Sequence, residues 1–319
     1  MRQSNYEILR LISIFFIASM HAMGQVFDTT SLVNREIILF INSFANTGVS
    51  LFILISGYFG IRFRKDRLLG IIGIVLFYSF LKFGVDTFVL DKHTDPKDLI
   101  PVLFPITGRR WWFISCYTVV YCLSPFINLI PEKLKRSDFK RLLLILLCFF
   151  FVAPTLLVFH EITDDMGKGV ITMLILYLIG RYVRLYGMPQ IIKDYPLAII
   201  IACTLVIFAA NSLLSLQGTV ILRFARDNTI FILLSSLAIF HLFGKLSFSS
   251  AVVNKLATYV FGIYLCHFTI ISVLQPLYTV HKDDLLLWPW LLLVLLIAYF
   301  GSIGIDAVRK KAVGKVMRL

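Results

Sequence analysis

The sequence predicts an all-α, polytopic integral membrane protein of about ten transmembrane helices, with the N- and C-termini cytoplasmic. Three observations carry this. Hydrophobic residues make up 59% of the chain and the mean hydropathy is +0.86. Charged residues supply 15%, where a soluble domain has about 25%. Windows of about twenty apolar residues, the length that crosses a bilayer as a helix, fall near 8–27, 44–62, 68–90, 112–130, 141–160, 169–187, 195–215, 228–246, 255–275 and 286–308.

Orientation follows from the loops, because short cytoplasmic loops concentrate Lys and Arg. Alternate loops hold Arg62, Arg64, Lys65 and Arg67, then Lys133 to Arg141, then Arg181, Arg184 and Lys193, then Lys245 and Lys255. The tail adds Arg309, Lys310, Lys311, Lys315 and Arg318, whereas the opposite loops collect acids such as Asp91, Asp95, Glu161, Asp164 and Asp283. The net charge of +13 therefore reads as membrane topology and not as a nucleic-acid surface. Residues 1–319 read as one membrane domain with no appended soluble domain and no internal repeat.

The first span carries two ionisable residues, Arg10 near its start and His21 deep inside. Eleven residues make about three helical turns, so both face one side, roughly 16 Å apart along the axis. Alone, Arg10 would read as an interfacial anchor and His21 as a satisfied interior histidine. Together they read as two ends of a ligand path, since ionisable groups at membrane depth face protein interior or water. Met1-Arg2 and Ala22 imitate a signal peptide and its cleavage site, but the apolar run is too long and more spans follow. An uncleaved first span is predicted.

The second span contains Ser56-Gly57-Tyr58, small residues that permit close helix approach or form a narrow polar wall. Arg64 and Arg67 follow it. Arginine suits phosphate, although basic residues here also orient the chain and touch anionic lipid. On the third span, Lys82 and Asp86 are four apart and can neutralise each other. The connection after it, residues 91–111, is proline-rich, with an apolar portion at 99–104 that lies at the interface or folds into the mouth. Arg109-Arg110-Trp111-Trp112 opens the fourth span. The tryptophans suit an aromatic belt, but two outer arginines are unexpected there. They could hold a phosphate or glycan, with Trp112 stacked on the sugar.

The ninth span runs in the same direction as the first and places His267 at a depth similar to His21, so the two could line one cavity. Cys266 is adjacent to His267 and points away from it on a helix. All five cysteines, Cys116, Cys122, Cys148, Cys203 and Cys266, lie in apolar runs without CxxC and read as small core residues. His93, His160, His241 and His281 show no metal-ligand spacing, and no Walker, HExxH or Gly-x-Ser-x-Gly motif is present.

Five stretches together resemble the membrane acyltransferase-3 family: Arg10 to His21 as Arg-x10-His, Phe52 to Tyr58 as the Ser-Gly-Tyr stretch, Arg64 to Arg67 as Arg-x-x-Arg, Trp112-Phe113-Ile114, and Tyr264-Leu265-Cys266-His267. The resemblance spans about residues 5–270 in the family's order. It implies transfer of an acyl group, most often acetyl, from cytosolic acyl-CoA to a carbohydrate hydroxyl on the far side. It assigns Arg10, Arg64, Arg67, Ser56 and Tyr58 to acyl-CoA, and His21 to base catalysis or transient acyl carriage. His267 and Tyr264 would orient His21 or polarise the thioester, and Arg109, Arg110 and Trp112 would face the acceptor. Acyl-CoA (acetyl-CoA) is then a co-substrate, with no permanently bound cofactor and no metal. Partners would be the carbohydrate acceptor, membrane lipids and, compatibly, a second copy, in a bacterial inner membrane. The competing classes are a transporter or flippase, which buried His and Arg would also serve, and a glycan polymerase, which usually carries a larger outer loop than the roughly 20 residues found here.

Overall fold

A computed structural model describes residues 3–93, 95–157 and 161–312. His160, Lys315, Arg318 and the Met1-Arg2 pair lie outside the described residues. The main helices are α1 (Ser4–Met23), α2 (Leu32–Ala45), α3 (Thr47–Phe59), α4 (Lys65–Phe88), α5 (Trp112–Ile127), α6 (Arg136–Leu147), α7 (Val170–Tyr186), α8 (Pro196–Leu214), α9 (Ile230–Gly244), α10 (Val260–Leu274) and α11 (Leu287–Ala312). No strand occurs among the described residues.

Every predicted window contains a helix, and eight helical stretches among the described residues are long and apolar enough to cross a membrane. The remaining two, α7 with 17 residues and α9 with 15, are shorter. The protein is a multi-pass, all-α membrane protein. The second span departs most from expectation. It begins at Leu32 and runs 28 residues to Phe59, jointed at Asn46. Arg35, Glu36, Asn42 and Asn46 dilute its first half, which is why a hydropathy window starts late. In the fold those polar residues are sheltered or paired: Asn42 and Asn46 are 1% and 7% exposed, and Glu36 accepts from Ser212 of α8 at 2.6 Å.

The stretch α2–α3 is the most enclosed, and α3 packs on α1, α7 and α9. Its approach to α7 depends on glycine. A Cβ at Gly57 would run into the carbonyl of Tyr177, and one at Gly180 would sit 2.6 Å from the carbonyl oxygen of Leu54. This is the close small-residue crossing available to membrane helices. Helix α1 fills the other side of α3 and meets α10 and α11, burying Leu9, Ile14, Ile17 and Ala18. At the rim, α4 and α8 expose residues such as Phe80, Phe88, Leu197 and Ile201, the apolar surface a lipid-facing helix requires.

Several charges within this apolar body are paired, as burial favours. Lys82 donates to Asp86 at 2.7 Å, the pair anticipated from spacing, and Lys92 joins at 3.0 Å. Asp306 accepts from Tyr78 at 2.9 Å and Arg309 at 2.7 Å, with Lys310 at 3.0 Å. The apolar portion of the 91–111 connection does fold against the bundle: Val102 is fully buried and its carbonyl accepts from Ser79 at 2.9 Å. All five cysteines are free, but Cys122 and Cys148 are exposed and only Cys116, Cys203 and Cys266 are core residues. An apolar run on a rim helix contains lipid-facing positions as well as buried ones, and composition does not separate them.

Candidate active site

The bundle has a basic end, where α1 and α7 bring Tyr6, Arg181 and Arg184 to the end of α3, and a far end, where α1 stops and α5 starts. His21 lies in the last turn of α1 at its far end, and its Nδ1 is 2.8 Å from Nε2 of His267 on α10. The rings are nearly parallel, 7° apart. The second nitrogen of His267, Nδ1, is 2.8 Å from the carbonyl oxygen of Ile263. A carbonyl can only accept, so His267 Nδ1 carries a hydrogen. With both rings neutral, His267 Nε2 then offers its lone pair and His21 Nδ1 donates to it. That leaves the lone pair of His21 on Nε2. Two contacts thus assign the tautomer of the His21 ring, because the bond made by one ring nitrogen fixes which nitrogen carries the hydrogen.

His21 borders a chamber of about 1050 Å³ that reaches toward the far-end loops, at the upper end of the roughly 300–1,000 Å³ typical of small-molecule sites. Tyr264, Trp112, Phe113 and Phe268 give it aromatic walls, while Gln25, Asn42 and Asn46 supply amides. The floor lies near Ile17 and Val49, so Arg10 does not border it. An aromatic series covers the gap. Tyr117 lies beside Arg10 and Ser56 and stacks on Phe113 at 5.9 Å. Phe113 contacts Tyr264 at 5.2 Å, and Tyr264 approaches the His267 ring at 6.0 Å.

At the basic end, Arg10 pairs with Glu7 at 2.9 Å and remains partly exposed. Arg64 is exposed and pairs with Asp66, while its backbone N–H donates to Tyr121 at 3.0 Å. Arg67 is exposed. Tyr58 accepts from Arg184 at 3.1 Å, and that guanidinium also lies over its ring. The hydroxyl of Ser56 donates to the carbonyl of Phe52 at 3.0 Å and also meets the hydroxyl of Tyr117. Arg181 sits against Gly60, with its Nε buried and unpaired. Loop counting put Arg181 and Arg184 among topology signals, but the α3–α7 crossing brings both to the same mouth as Tyr58.

Of the far-end residues singled out by sequence, Trp112 borders the chamber and the two arginines turn elsewhere. Arg109 donates to the carbonyl of Lys168 at 3.1 Å, and Arg110 lies over Trp111 and 4.0 Å from Asp86. The charged wall comes instead from two loops that motif reading passed over. Glu161 accepts from Arg223 at 2.8 Å, from Asn228 at 2.9 Å and from Arg226. Asp227 beside them is buried, and burial pushes its carboxyl up to about 7, with Lys168 opposing and Asp165 adding to the rise. The available signal was a breach of the charge rule, since Arg223 and Arg226 fall on a loop of the acidic side. Among the described residues no group of three side chains is placed to hold a metal ion.

No curated protein and no solved structure matches the chain. The family model described as an acyltransferase domain matches residues 4–307. With nearly its whole length covered, the chain belongs to the acyltransferase-3 family.

Proposed function

We propose that this membrane acyltransferase moves an acyl group, acetyl foremost, from acyl-CoA at the cytoplasmic, basic end to a carbohydrate hydroxyl at the far end. One observation carries the reading: a tautomer-locked histidine whose free Nε2 belongs to a ring bordering a large far-end chamber. Arg10, Arg64 and Arg67, joined by Arg181 and Arg184, supply forked cations for coenzyme A phosphates. The thioester arm passes the Tyr117–Phe113–Tyr264 series to reach His21, about three helical turns from Arg10.

In the step itself, His21 Nε2 takes the proton of the acceptor hydroxyl as its oxygen attacks the thioester carbonyl. The C–S bond breaks, and the imidazolium returns the proton to the departing coenzyme A thiolate. His267 Nε2 accepts from His21 Nδ1 throughout, so the imidazolium forms with its second N–H already paired. Tyr264 lies beside this pair and positions the thioester. The inner membrane of a bacterium, with acyl-CoA inside and surface glycan outside, is the setting this geometry suits.

The test is consumption of acetyl-CoA by purified protein in nanodiscs, comparing wild type with His21→Ala and Arg10→Ala. Thioester cleavage that is lost in His21→Ala, with a raised KM in Arg10→Ala, supports the reading. Folded wild-type protein that neither binds nor cleaves the thioester refutes it and favours transport.

A further inference from the structure

Part of the chamber wall comes from two far-end loops, residues 161–168 and 222–227. Their placement is built in. Gly167 has φ +79°, and a Cβ there would strike the backbone nitrogen of Asn228. Only glycine lets one loop lie on the other at that angle. Glu161 then ties the second loop down through Arg223, Arg226 and Asn228, and Arg223 also donates to the carbonyl of Pro154 at 3.1 Å.

Among the described residues this framework holds two buried oxygens without a partner, Asn228 Oδ1 and Asp227 Oδ1, and only Asp227 borders the chamber. Asp227 is 3% exposed, borders the chamber, and its Oδ1 makes no hydrogen bond. Folded proteins rarely leave a buried carboxyl oxygen unpaired, and where one does a functional role is among the reasons. The charge balance indicates which ligand. Arg223, Arg226 and Lys168 face Glu161, Asp164 and Asp227 on the same wall, three cations against three acids. Both arginines are already held by Glu161, so little positive charge remains for a phosphate. Aromatic faces at Trp112, Phe113 and Phe268 suit the C–H face of a sugar ring, whose hydroxyls suit a carboxyl.

We propose that Asp227, with Lys168 near it, is the acceptor-orienting subsite, and that it selects an uncharged sugar ring by hydrogen bonds to its hydroxyls. The assignment of that sugar as acceptor rests on the acyl-transfer reading. Asp227 touches the acceptor away from the bond being made, while His21 takes the reacting proton.

The experiment is saturation-transfer NMR on the full chain in nanodiscs with glucose, N-acetylglucosamine and glucose 1-phosphate as probes. The neutral sugars saturate the wild type, and Asp227→Ala weakens them about tenfold or more, the factor expected for a hydrogen bond to a charged group. Asp227→Asn, which keeps the side-chain shape, and Lys168→Met guard against misfolding and give smaller losses. Equal sugar affinity in wild type and Asp227→Ala, tighter binding of glucose 1-phosphate than of glucose, or no saturable sugar signal each overturns the proposal. Acetyl-CoA cleavage by the same wild-type sample separates the two ideas. Cleavage without Asp227-dependent sugar binding removes the subsite and leaves the acyltransferase. Asp227-dependent binding without cleavage does the reverse.

Discussion

Replacing His267 with Phe removes the acceptor for His21 Nδ1 while keeping an aromatic ring between α1 and α10. In the wild type that contact is 2.8 Å, and the far side of His267 is held by the Ile263 carbonyl. In the proposed step His21 takes a proton, and the contact then becomes a hydrogen bond from a cation, worth about 1.5–3 kcal/mol. At 1.36 kcal/mol per decade, its loss lowers kcat by roughly 10- to 100-fold. The tautomer is freed as well, so a fraction of the rings present N–H where the base is needed. The assay is single-turnover thioester cleavage in nanodiscs, for His21→Ala, His267→Phe and the double variant. If the proposed relay holds, with His267 acting through His21, the double variant is no slower than His21→Ala, a non-additivity that marks residues working as a unit. His267→Gln, whose amide oxygen can accept from Nδ1, recovers part of the rate. Wild-type turnover in His267→Phe, or a further drop when it is added to His21→Ala, refutes the relay.

Other expectations follow from the same geometry. Arg64→Gln combined with Arg67→Gln raises the KM for acetyl-CoA about tenfold or more with a smaller change in kcat, and the difference shrinks in high salt; an unchanged KM removes these residues from the donor site. Asp306→Ala strands Arg309, which is 4% exposed, and the hydroxyl of Tyr78, costing about 3–5 kcal/mol, read as a lower melting temperature in detergent. Gly57→Ala forces a Cβ into the Tyr177 carbonyl and lowers stability by about 1–3 kcal/mol, whereas Gly84→Ala, where a Cβ meets nothing within 4 Å, is neutral or mildly stabilising.

Asp227 makes stability depend on pH. Its carboxyl rises from 3.8 to about 7 on folding, so between these values the folded chain keeps a proton that the unfolded chain releases. Stability is therefore full at acid pH, falls as pH climbs, and levels off above about 7. At 1.36 kcal/mol per decade of proton affinity the ceiling on the loss is roughly 4 kcal/mol. The charges around it are Lys168, Asp165 and the Glu161–Arg223–Arg226 cluster. Melting of Asp227→Asn against wild type from pH 4 to pH 8 shows an advantage for the variant that widens with pH; a constant difference contradicts this account.

Apolar windows sufficed for the helical class and for a helix within each predicted span, because transfer from water is a local property of each segment. They also exposed Arg10 and His21, whose presence in an apolar run is visible without any neighbour. Polar residues that pair inside the fold misled the same windows: Asn42, Asn46 and Glu36 hid the first half of α2–α3 until packing showed them sheltered. Depth along a helix suggested that His21 and His267 could meet, but not that they do. That required α1 and α10 to be neighbours, a matter of which helix faces which. The tautomer of His21, the mouth shared by Tyr58 and Arg184, and the wall bearing Asp227 all arise between segments far apart in sequence. Hydropathy and charge placed each segment in the membrane independently of the others; contacts at 3 Å between side chains exist only once the helices have chosen partners.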